Sequence, residues 1–276
     1  MVGEKGQIKK GWQPKVKRGR FNGFFRVTGV DSQEMGETED AIRFFLRREG
    51  YLSGSVAAEF LWRLYGVDVV ITAHDRGSLD LAGEVIKNRF GWRVYAEAKE
   101  LSQEPRVKKG ETPMCDVPLP ALEEVLGGIL SHRNLSLAIA ESCTGGYLGH
   151  LITEVPGSSD YFKMGVVAYS NDVKRDFLGV SQDILDIQGA VSEPVVKEMA
   201  ASVMKMADTD FGIAISGVAG PGGGTDEKPV GTVWLALCHG ADLFTQRRRF
   251  AGDRGEVKRR AAYWALAMLF HRLKGD

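Results

Sequence analysis

Short apolar runs alternate with helical segments through the second half of the chain, and this alternation limits the folds that the sequence can adopt. Apolar runs of strand length stand at LSLAIA (135–140), MGVVAYS (164–170) and FGIAIS (211–216), and segments with helical features separate them. Strands that are apolar at nearly every position are typical of a parallel sheet buried on both faces. The sequence therefore predicts an α/β domain with a mostly parallel mixed sheet and helices on both faces.

Further elements complete this second half. Helices are predicted at 121–133, directly after Ser142, near 171–178, at 193–208 and at 254–273. Two further strands are predicted at GTVWLALC (231–238) and LFTQRRRF (243–250), with only a short connection between them. Closely spaced strands are typical of antiparallel pairs, so these two are expected to form an antiparallel edge of the sheet.

The first half of the chain predicts a smaller α+β unit. Strands are expected at FFRVTGV (24–30) and RVYAEA (93–98), and helices at 37–50 and 78–91. The stretch EFLWRLYGVDVVITAHD (59–75) has β-branched and aromatic residues around Gly66 and fits either a strand pair or one long bent strand. A segment with several prolines and no periodicity, 101–120, is interpreted as the connection between the two units.

Composition excludes several classes of protein. Lys and Arg number 36, as do Asp and Glu, so no global field favours a nucleic acid or a membrane surface. Three widely spaced cysteines fit a reducing compartment, and the histidines lack metal-ligand spacing. No segment has the pattern of a secretory signal or a membrane span, so a cytoplasmic protein is predicted. The basic residues 1–20 are interpreted as a flexible tail, with a weak polyanion contact as the alternative.

Three predicted strands end in small or polar residues, which are expected to meet beyond the carboxyl ends of the sheet. In AESCTGG (140–146), Ser142 stands at or near the first residue of a helix, where free N–H groups favour negative charge. This serine either caps the helix or acts as a nucleophile. Cys143 is a rival nucleophile, and an inert buried thiol is its alternative interpretation.

The second segment is VVAYSNDVK (166–174). Tyr169 and Ser170 are expected to end a strand, and Asn171 to cap a helix with Lys174 in its first turn. A lysine is electrostatically unfavourable there. It is either a solvated surface residue or a desolvated amine with a lowered pKa that can take a proton from a hydroxyl.

The third segment is glycine-rich, ISGVAGPGGGTDEKPVG (215–231). Successive backbone N–H groups in such loops form nests for anions, although the segment does not contain a Walker A pattern. Ser216 ends its strand as Ser142 does, so its hydroxyl is expected in the same cleft.

Together these blocks resemble the CinA C-terminal domain, the nicotinamide-nucleotide amidohydrolase family. AESCTGG, VPGSSDYF, GVVAYSNDVK, GAVSEPVVKEMA, SGVAGPGGGTDEKPVGTVWLA and GDR occur in the family's order over about residues 120–276. The resemblance implies hydrolysis of the carboxamide of nicotinamide mononucleotide to nicotinate mononucleotide and ammonia, within pyridine nucleotide salvage. It also implies a Ser–Lys pair that works without a metal or any other cofactor.

The resemblance assigns roles to ten residues. Ser142 is implied as the nucleophile and Lys174 as its base, with Tyr169 and Ser216 supporting them. Substrate contacts are implied for Thr144, Gly145, Gly146, Gly217, Gly220 and Arg254, the arginine holding the anionic part of the nucleotide. The N–H groups of the turn 143–146 are expected to bind the oxyanion, and its two glycines to leave room for an aromatic ring. The family usually has threonine at the Ser216 position, so a less firmly held hydroxyl and a slower reaction are expected.

The first unit is similar in its element order to the KH-type middle domain of full-length CinA proteins. It lacks an evident G-x-x-G clamp, so a structural or oligomer-forming role is expected rather than nucleic-acid binding. The predicted organisation is a tail at 1–22, a KH-like domain at 23–112 and an amidohydrolase domain at 113–276, assembled as a homodimer. The alternatives are a non-catalytic nucleotide-binding module and a competence- or DNA-damage-associated protein.

Overall fold

The computed structural model describes residues 21–28, 56–63, 66–73, 75–90, 94–101 and 120–274. The chain divides into two compact units between Pro120 and Ala121, at the end of the predicted connection. The basic residues 1–20, the predicted helix 37–50 and residues 102–119 lie outside the described residues. The KH-like character of the first unit and the two boundaries between the three predicted segments therefore stay predictions.

The first unit contains four described strands and one described helix. They are β1 (Phe21–Thr28), β2 (Val56–Arg63), β3 (Gly66–Ala73), α1 (Arg76–Phe90) and β4 (Val94–Leu101). The strand order is β2-β3-β1-β4, and every pairing is antiparallel. Of the two interpretations of the stretch 59–75, the strand pair is therefore correct. β1 begins at Phe21, within the last two residues of the predicted tail.

Alternate residues of β1 and β3 form the core of this unit with α1. The buried side chains include Phe25, Val27, Val69, Ile71, Leu79, Ala82 and Ile86. Gly83 of α1 lies against the ring of Phe25, since a Cβ at this position would be 2.9 Å from the Phe25 Cζ. One face of the helix thus packs directly on the sheet.

The second unit consists of alternating strands and helices. Its elements are α2 (Leu122–Arg133), β5 (Leu137–Glu141), α3 (Tyr147–Thr153), β6 (Phe162–Val167), α4 (Gln182–Gln188), α5 (Glu193–Ala207), β7 (Phe211–Gly217), β8 (Thr232–His239), β9 (Asp242–Arg249) and α6 (Arg254–Lys274). A short 3₁₀ turn (Ser158–Asp160) precedes β6, and a π-helical turn (Val173–Phe177) follows it. In the described part of the chain, no helix combines the length and apolarity needed to cross a membrane.

The five strands of this unit form one mixed sheet in the order β6-β5-β7-β8-β9. β5 runs parallel to both of its neighbours, β6 and β7, whereas β8 and β9 add antiparallel pairings. The predicted α/β class and the antiparallel edge are both confirmed. Because β5 and β7 are parallel and paired from Leu137↔Phe211 to Glu141↔Ile215, the residues that follow them emerge side by side.

Small residues on one face of the sheet allow α5 to pack closely. Ala138, Ala140, Ala214 and Ala236 are buried with residues of α5, among them Met199 and Ala200. On the opposite face, Gly149 of α3 lies close to Ile139, since a Cβ there would be 3.5 Å from the Ile139 Cδ1. Helices therefore cover both faces, as the sequence predicted.

Three predicted elements differ in detail from the structure. The strand expected at 164–170 ends at Val167, so Tyr169 and Ser170 belong to the loop that follows it. The helix expected near 171–178 contains a π-helical turn, and the helix after Ser142 begins only at Tyr147. The helix α4 was not predicted at all, because its seven residues are too few for a clear period.

The contact between β7 and α5 makes a stability prediction. A Cβ at Gly212 would overlap the carbonyl oxygen of Ala200 and lie 2.7 Å from the Cβ of Met204. Gly212→Ala is therefore expected to lower the free energy of unfolding of this unit by about 1–3 kcal/mol. Amide hydrogen exchange in β7 and α5 of the full chain measures this loss.

Gly128 provides the matched control, because it lies within α2 and a Cβ there meets nothing within 4 Å. Gly128→Ala is expected to stabilise the unit by about 0.5–1 kcal/mol through the better helix propensity of alanine. Equal effects of the two substitutions would contradict the packing described for Gly212.

Candidate active site

A cavity lies beyond the carboxyl ends of β5 and β7, where open α/β sheets bind their ligands. Its volume of about 210 Å³ is below the range typical of sites that enclose a drug-sized ligand. Six of the ten residues assigned from the sequence line it, namely Ser142, Tyr169, Lys174, Ser216, Gly217 and Arg254. The other lining residues are Cys143, Asn171, Ala190, Val191 and Ala219. The sequence had indicated Asn171 only as a helix cap, and Ala190 and Val191 only as part of a family block, without a role.

Ser142 is held by its backbone and presents its hydroxyl to the cavity. Its N–H donates to the carbonyl oxygen of Ile215 at 2.9 Å, and its own carbonyl accepts the N–H of Gly145 at 3.1 Å. The side chain is 8% exposed, and its hydroxyl makes no hydrogen bond to any described residue. The helix that follows is capped by Gly146, so the interpretation of Ser142 as the N-cap is wrong.

The side chain of Glu141, the last residue of β5, caps the N-terminus of α3, although the helix begins only at Tyr147. Its carboxylate is 1% exposed and accepts the N–H groups of Gly146 (3.0 Å), Leu148 (3.0 Å) and Gly149 (2.8 Å). A carboxylate at a helix N-terminus is favoured by the helix dipole as well as by these hydrogen bonds. Sequence reasoning missed this role, because the capping residue stands far outside the usual N-cap position.

This capping decides which N–H groups can serve an oxyanion. The N–H of Gly145 donates to Ser142 and that of Gly146 to Glu141. The N–H groups of Cys143 and Thr144 have no oxygen acceptor among the described residues. All four N–H groups of the turn 143–146 were expected to bind an oxyanion. Only those of Cys143 and Thr144 are free to do so.

The remaining parts of this turn have structural positions. Gly145 and Gly146 have φ values of +59° and +92°, a region that favours glycine. Neither glycine lines the cavity, so the room that they were expected to leave for an aromatic ring is not part of it. Thr144 is fully buried, and its Oγ1 has no hydrogen-bond partner among the described residues. Its side chain does not line the cavity either.

Cys143 lies beside Ser142 but does not have the character of a thiolate. Its side chain is buried, and burial raises the pKa of its thiol to about 12. At neutral pH the sulfur is therefore protonated, and a thiol is a poor nucleophile. Of the two interpretations of this residue, the structure supports the inert buried thiol.

Lys174 is one of the most deeply buried large side chains in the described chain, with 1% exposure. Its Nζ donates to three backbone carbonyl oxygens, those of Ala168 (2.8 Å), Tyr169 (3.3 Å) and Ser170 (3.4 Å). Burial lowers the pKa of this amine, and the charge of a Cys143 thiolate would oppose that effect. The interpretation of Lys174 as a solvated surface lysine is wrong, whereas its placement in the first turn of a helical segment agrees with the structure.

Arg254 joins two loops at the mouth of the cavity. One guanidinium nitrogen donates to the Tyr169 hydroxyl and the other to the Gly220 carbonyl oxygen, both at 2.8 Å. Tyr169 is 59% exposed, so its ring is open to a ligand from the solvent side. Gly220 does not line the cavity itself. Its carbonyl oxygen accepts a hydrogen bond from Arg254, which does.

Ser216 and its neighbours form the opposite wall. The Ser216 hydroxyl donates to the carbonyl oxygen of Ala190 at 2.7 Å, and the side chain is 1% exposed. Lys228 donates to the carbonyl oxygen of Gln188 at 2.5 Å, which fastens the same loop. The hydroxyl therefore has a fixed partner, contrary to the expectation that a serine there would hold it loosely.

The fold and the cavity define an α/β domain with a serine hydroxyl and a desolvated lysine in one pocket at the carboxyl ends of its strands. The model of the CinA C-terminal domain matches residues 120–273, and the chain belongs to this family. Both described serines of the site, Ser142 and Ser216, lie within the matched region.

Relatives and solved structures agree with this membership. Nicotinamide-nucleotide amidohydrolase PncC of Escherichia coli K12 is 46% identical over 158 residues, which are 57% of this chain and 96% of that protein. A CinA-like protein of Thermotoga maritima is 49% identical over 154 residues, but the chain spans only 38% of its length. A CinA superfamily structure from Klebsiella pneumoniae has 39% identity and a TM-score of 0.55, covering 56% of this chain and 97% of that one.

The capping by Glu141 makes a testable prediction. Glu141→Gln keeps the size of the side chain but places an NH₂ group against N–H donors, which leaves at least one of them unsatisfied. The amides of Gly146, Leu148 and Gly149 are expected to exchange hydrogen about 10- to 100-fold faster than in the wild type. Glu124→Gln serves as the control, because Glu124 accepts the N–H of Ala121 at the solvent-exposed start of α2. Unchanged exchange in α3 of the Glu141 variant would show that the carboxylate does not hold this turn.

Proposed function

We propose that the second unit hydrolyses the carboxamide of nicotinamide mononucleotide to nicotinate mononucleotide and ammonia. The observation that carries this proposal is that Ser142 and the buried Lys174 both line one cavity. The E. coli relative that is 46% identical and almost fully covered is a nicotinamide-nucleotide amidohydrolase, and this supports an amidase. A place in pyridine nucleotide salvage, a homodimer and a cytoplasmic location remain predictions from the sequence.

The first half of the proposed reaction forms an acyl-enzyme. The neutral amine of Lys174 takes the proton of the Ser142 hydroxyl while Oγ attacks the carboxamide carbon. The carbonyl oxygen becomes an oxyanion, which the N–H groups of Cys143 and Thr144 stabilise. When the C–N bond breaks, Lys174 returns its proton to nitrogen, and ammonia leaves from an ester of Ser142.

The second half releases the acid. Water attacks the ester carbon while Lys174 takes one of its protons, and the resulting oxyanion is held by the same two N–H groups. The C–Oγ bond then breaks, and Lys174 returns the proton to Ser142. The sum consumes one water and one amide and yields one acid and one ammonia, with the enzyme unchanged.

Tyr169, Ser216 and Arg254 complete the proposed site. The exposed ring of Tyr169 is available to stack on the pyridine ring. The Ser216 hydroxyl donates to the protein, so its role toward a substrate is to accept a hydrogen bond, for which the NH₂ of the carboxamide is suited. Arg254 supplies a positive charge for the anionic part of the nucleotide.

Loss of either member of the Ser–Lys pair is expected to abolish ammonia release from nicotinamide mononucleotide. Ser142→Ala removes the attacking oxygen and is expected to lower kcat by at least about 10³-fold. Lys174→Ala is expected to lower kcat by about 10²- to 10⁴-fold. Ammonia release by the full chain, monitored in a coupled assay, measures both effects.

Cys143→Ala is the matched control, because it alters the residue next to the nucleophile without removing either member of the pair. Its kcat is expected to stay within a few-fold of the wild-type value. If all three variants matched the wild type, the pair would have no catalytic role. Nucleotide binding without turnover in the wild type would favour the non-catalytic binding module.

The pH dependence of the reaction follows from the burial of Lys174. The amine acts as a base only when it is neutral, and burial lowers its pKa, so the neutral form exists at lower pH than in an exposed lysine. kcat/KM is expected to rise with pH along a limb whose apparent pKa lies below about 10.4, the ordinary lysine value. A profile between about pH 6 and 11 measures this limb. Lys174→Arg, which stays charged throughout, is expected to be inactive over the whole range.

A further inference from the structure

The first two turns of α6 carry four basic residues, and two of them, Arg254 and Lys258, lie on the same face of the helix. Arg254 uses its guanidinium for the Tyr169 hydroxyl and the Gly220 carbonyl, both of which are uncharged. Lys258 makes neither an ion pair nor a hydrogen bond with any described residue. Residues four apart on a helix lie on the same face, so these two positive charges point in one direction.

Lys258 lies directly against the turn that follows the serine of the cavity. A Cβ at Gly145 would be 3.5 Å from the Lys258 Nζ, and Gly145 is three residues from Ser142. The side chain is partly buried, which leaves its ammonium less screened than one on an open surface. A free ammonium group thus lies beside Gly145, outside the lining of the cavity and one helical turn beyond Arg254, which does line it.

From Gly145 onward the backbone of this turn provides no competing anion site, and the free N–H groups of Cys143 and Thr144 are those assigned to the oxyanion. The N–H groups of Gly145 and Gly146 are engaged, and those of Leu148 and Gly149 donate to Glu141. The carboxylate of Glu141 moreover places a negative charge at the start of α3. An anion near Gly145 must therefore be bound by side chains, and the two cations of α6 are the described candidates.

We propose that Lys258 binds the phosphate monoester of the substrate together with Arg254, and thereby makes the enzyme prefer a mononucleotide to the corresponding nucleoside. This inference rests on the proposed function and adds a specificity-determining residue to it. Arg254 is fixed by two hydrogen bonds and offers charge from a set position. The ammonium group of Lys258 donates to no described residue, so its hydrogens are available to the phosphate oxygens.

Glycine at position 145 is compatible with this role. Its φ of +59° favours glycine, and the missing side chain leaves the space beside the Lys258 Nζ open. A larger residue there would fill the space beside this ammonium group.

The test compares phosphorylated with unphosphorylated ligands in the full chain. Calorimetry measures Kd for ribose 5-phosphate and for nicotinamide mononucleotide, and an ammonia assay measures kcat and KM with the mononucleotide and with nicotinamide riboside. The variants are Lys258→Gln, Lys258→Arg and, as a matched control, Arg259→Gln at the adjacent position of α6. Ribose 5-phosphate lacks the amide, so its binding reports on the phosphate site even if the protein is not an amidase.

Lys258→Gln is expected to raise both Kd values and the KM for the mononucleotide by about tenfold or more, the loss of one charge-assisted hydrogen bond. It should leave kcat and the kinetics with the riboside within about twofold, and Lys258→Arg should restore most of the affinity. Arg259→Gln should change neither.

Ribose 5-phosphate binding that is equal in the wild type and Lys258→Gln, or absent from both, would overturn the assignment. An equal loss with the mononucleotide and the riboside would also overturn it, because it would show a general structural defect. If the wild type released no ammonia but bound ribose 5-phosphate through Lys258, the amidase proposal would fail while the phosphate site stood.

Discussion

The buried carboxylate of Glu141 and the three amides that it binds are the interaction on which this site depends. One side chain ends β5 and begins α3, although five residues lie between the two elements. The intervening chain is therefore held at both ends, and Ser142 is the first residue of it. A loop so fastened can keep a hydroxyl and two backbone donors in place without help from a ligand, which is the preorganisation that acyl transfer needs.

The sheet brings the other polar residues of the site together with Ser142. Because β5 and β7 run parallel and in register, Ser142 and Ser216 leave the sheet as neighbours, and the N–H of Ser142 even donates to the strand that carries Ser216. Lys174 arrives from the other side, through the loop after the edge strand β6. Three segments that are distant in sequence thus meet because each follows a strand that points toward the same edge.

The features that depend on repeated patterns could be predicted from the sequence, and those that depend on one contact could not. Alternating apolar runs predicted the mixed sheet with both of its faces covered, and the family blocks predicted six of the residues that line the cavity. The role of Glu141 was missed because a carboxylate after a buried strand resembles any strand end until the amides that it binds are known. Ala190 and Val191 stood in a family block but received no role, because neither has a polar side chain to which one could be assigned.

The π-helical turn after β6 has a consequence for how this site can vary. A π turn accommodates one more residue than an α turn, and residues 173–177 use it to direct Lys174 inward, away from the solvent-facing Val173 and Phe177. Removing a single residue there would wind the segment back into ordinary helix and rotate the amine by roughly 100° about the axis. The length of this segment therefore matters as much as its composition, so related chains should tolerate substitutions around the lysine far better than deletions.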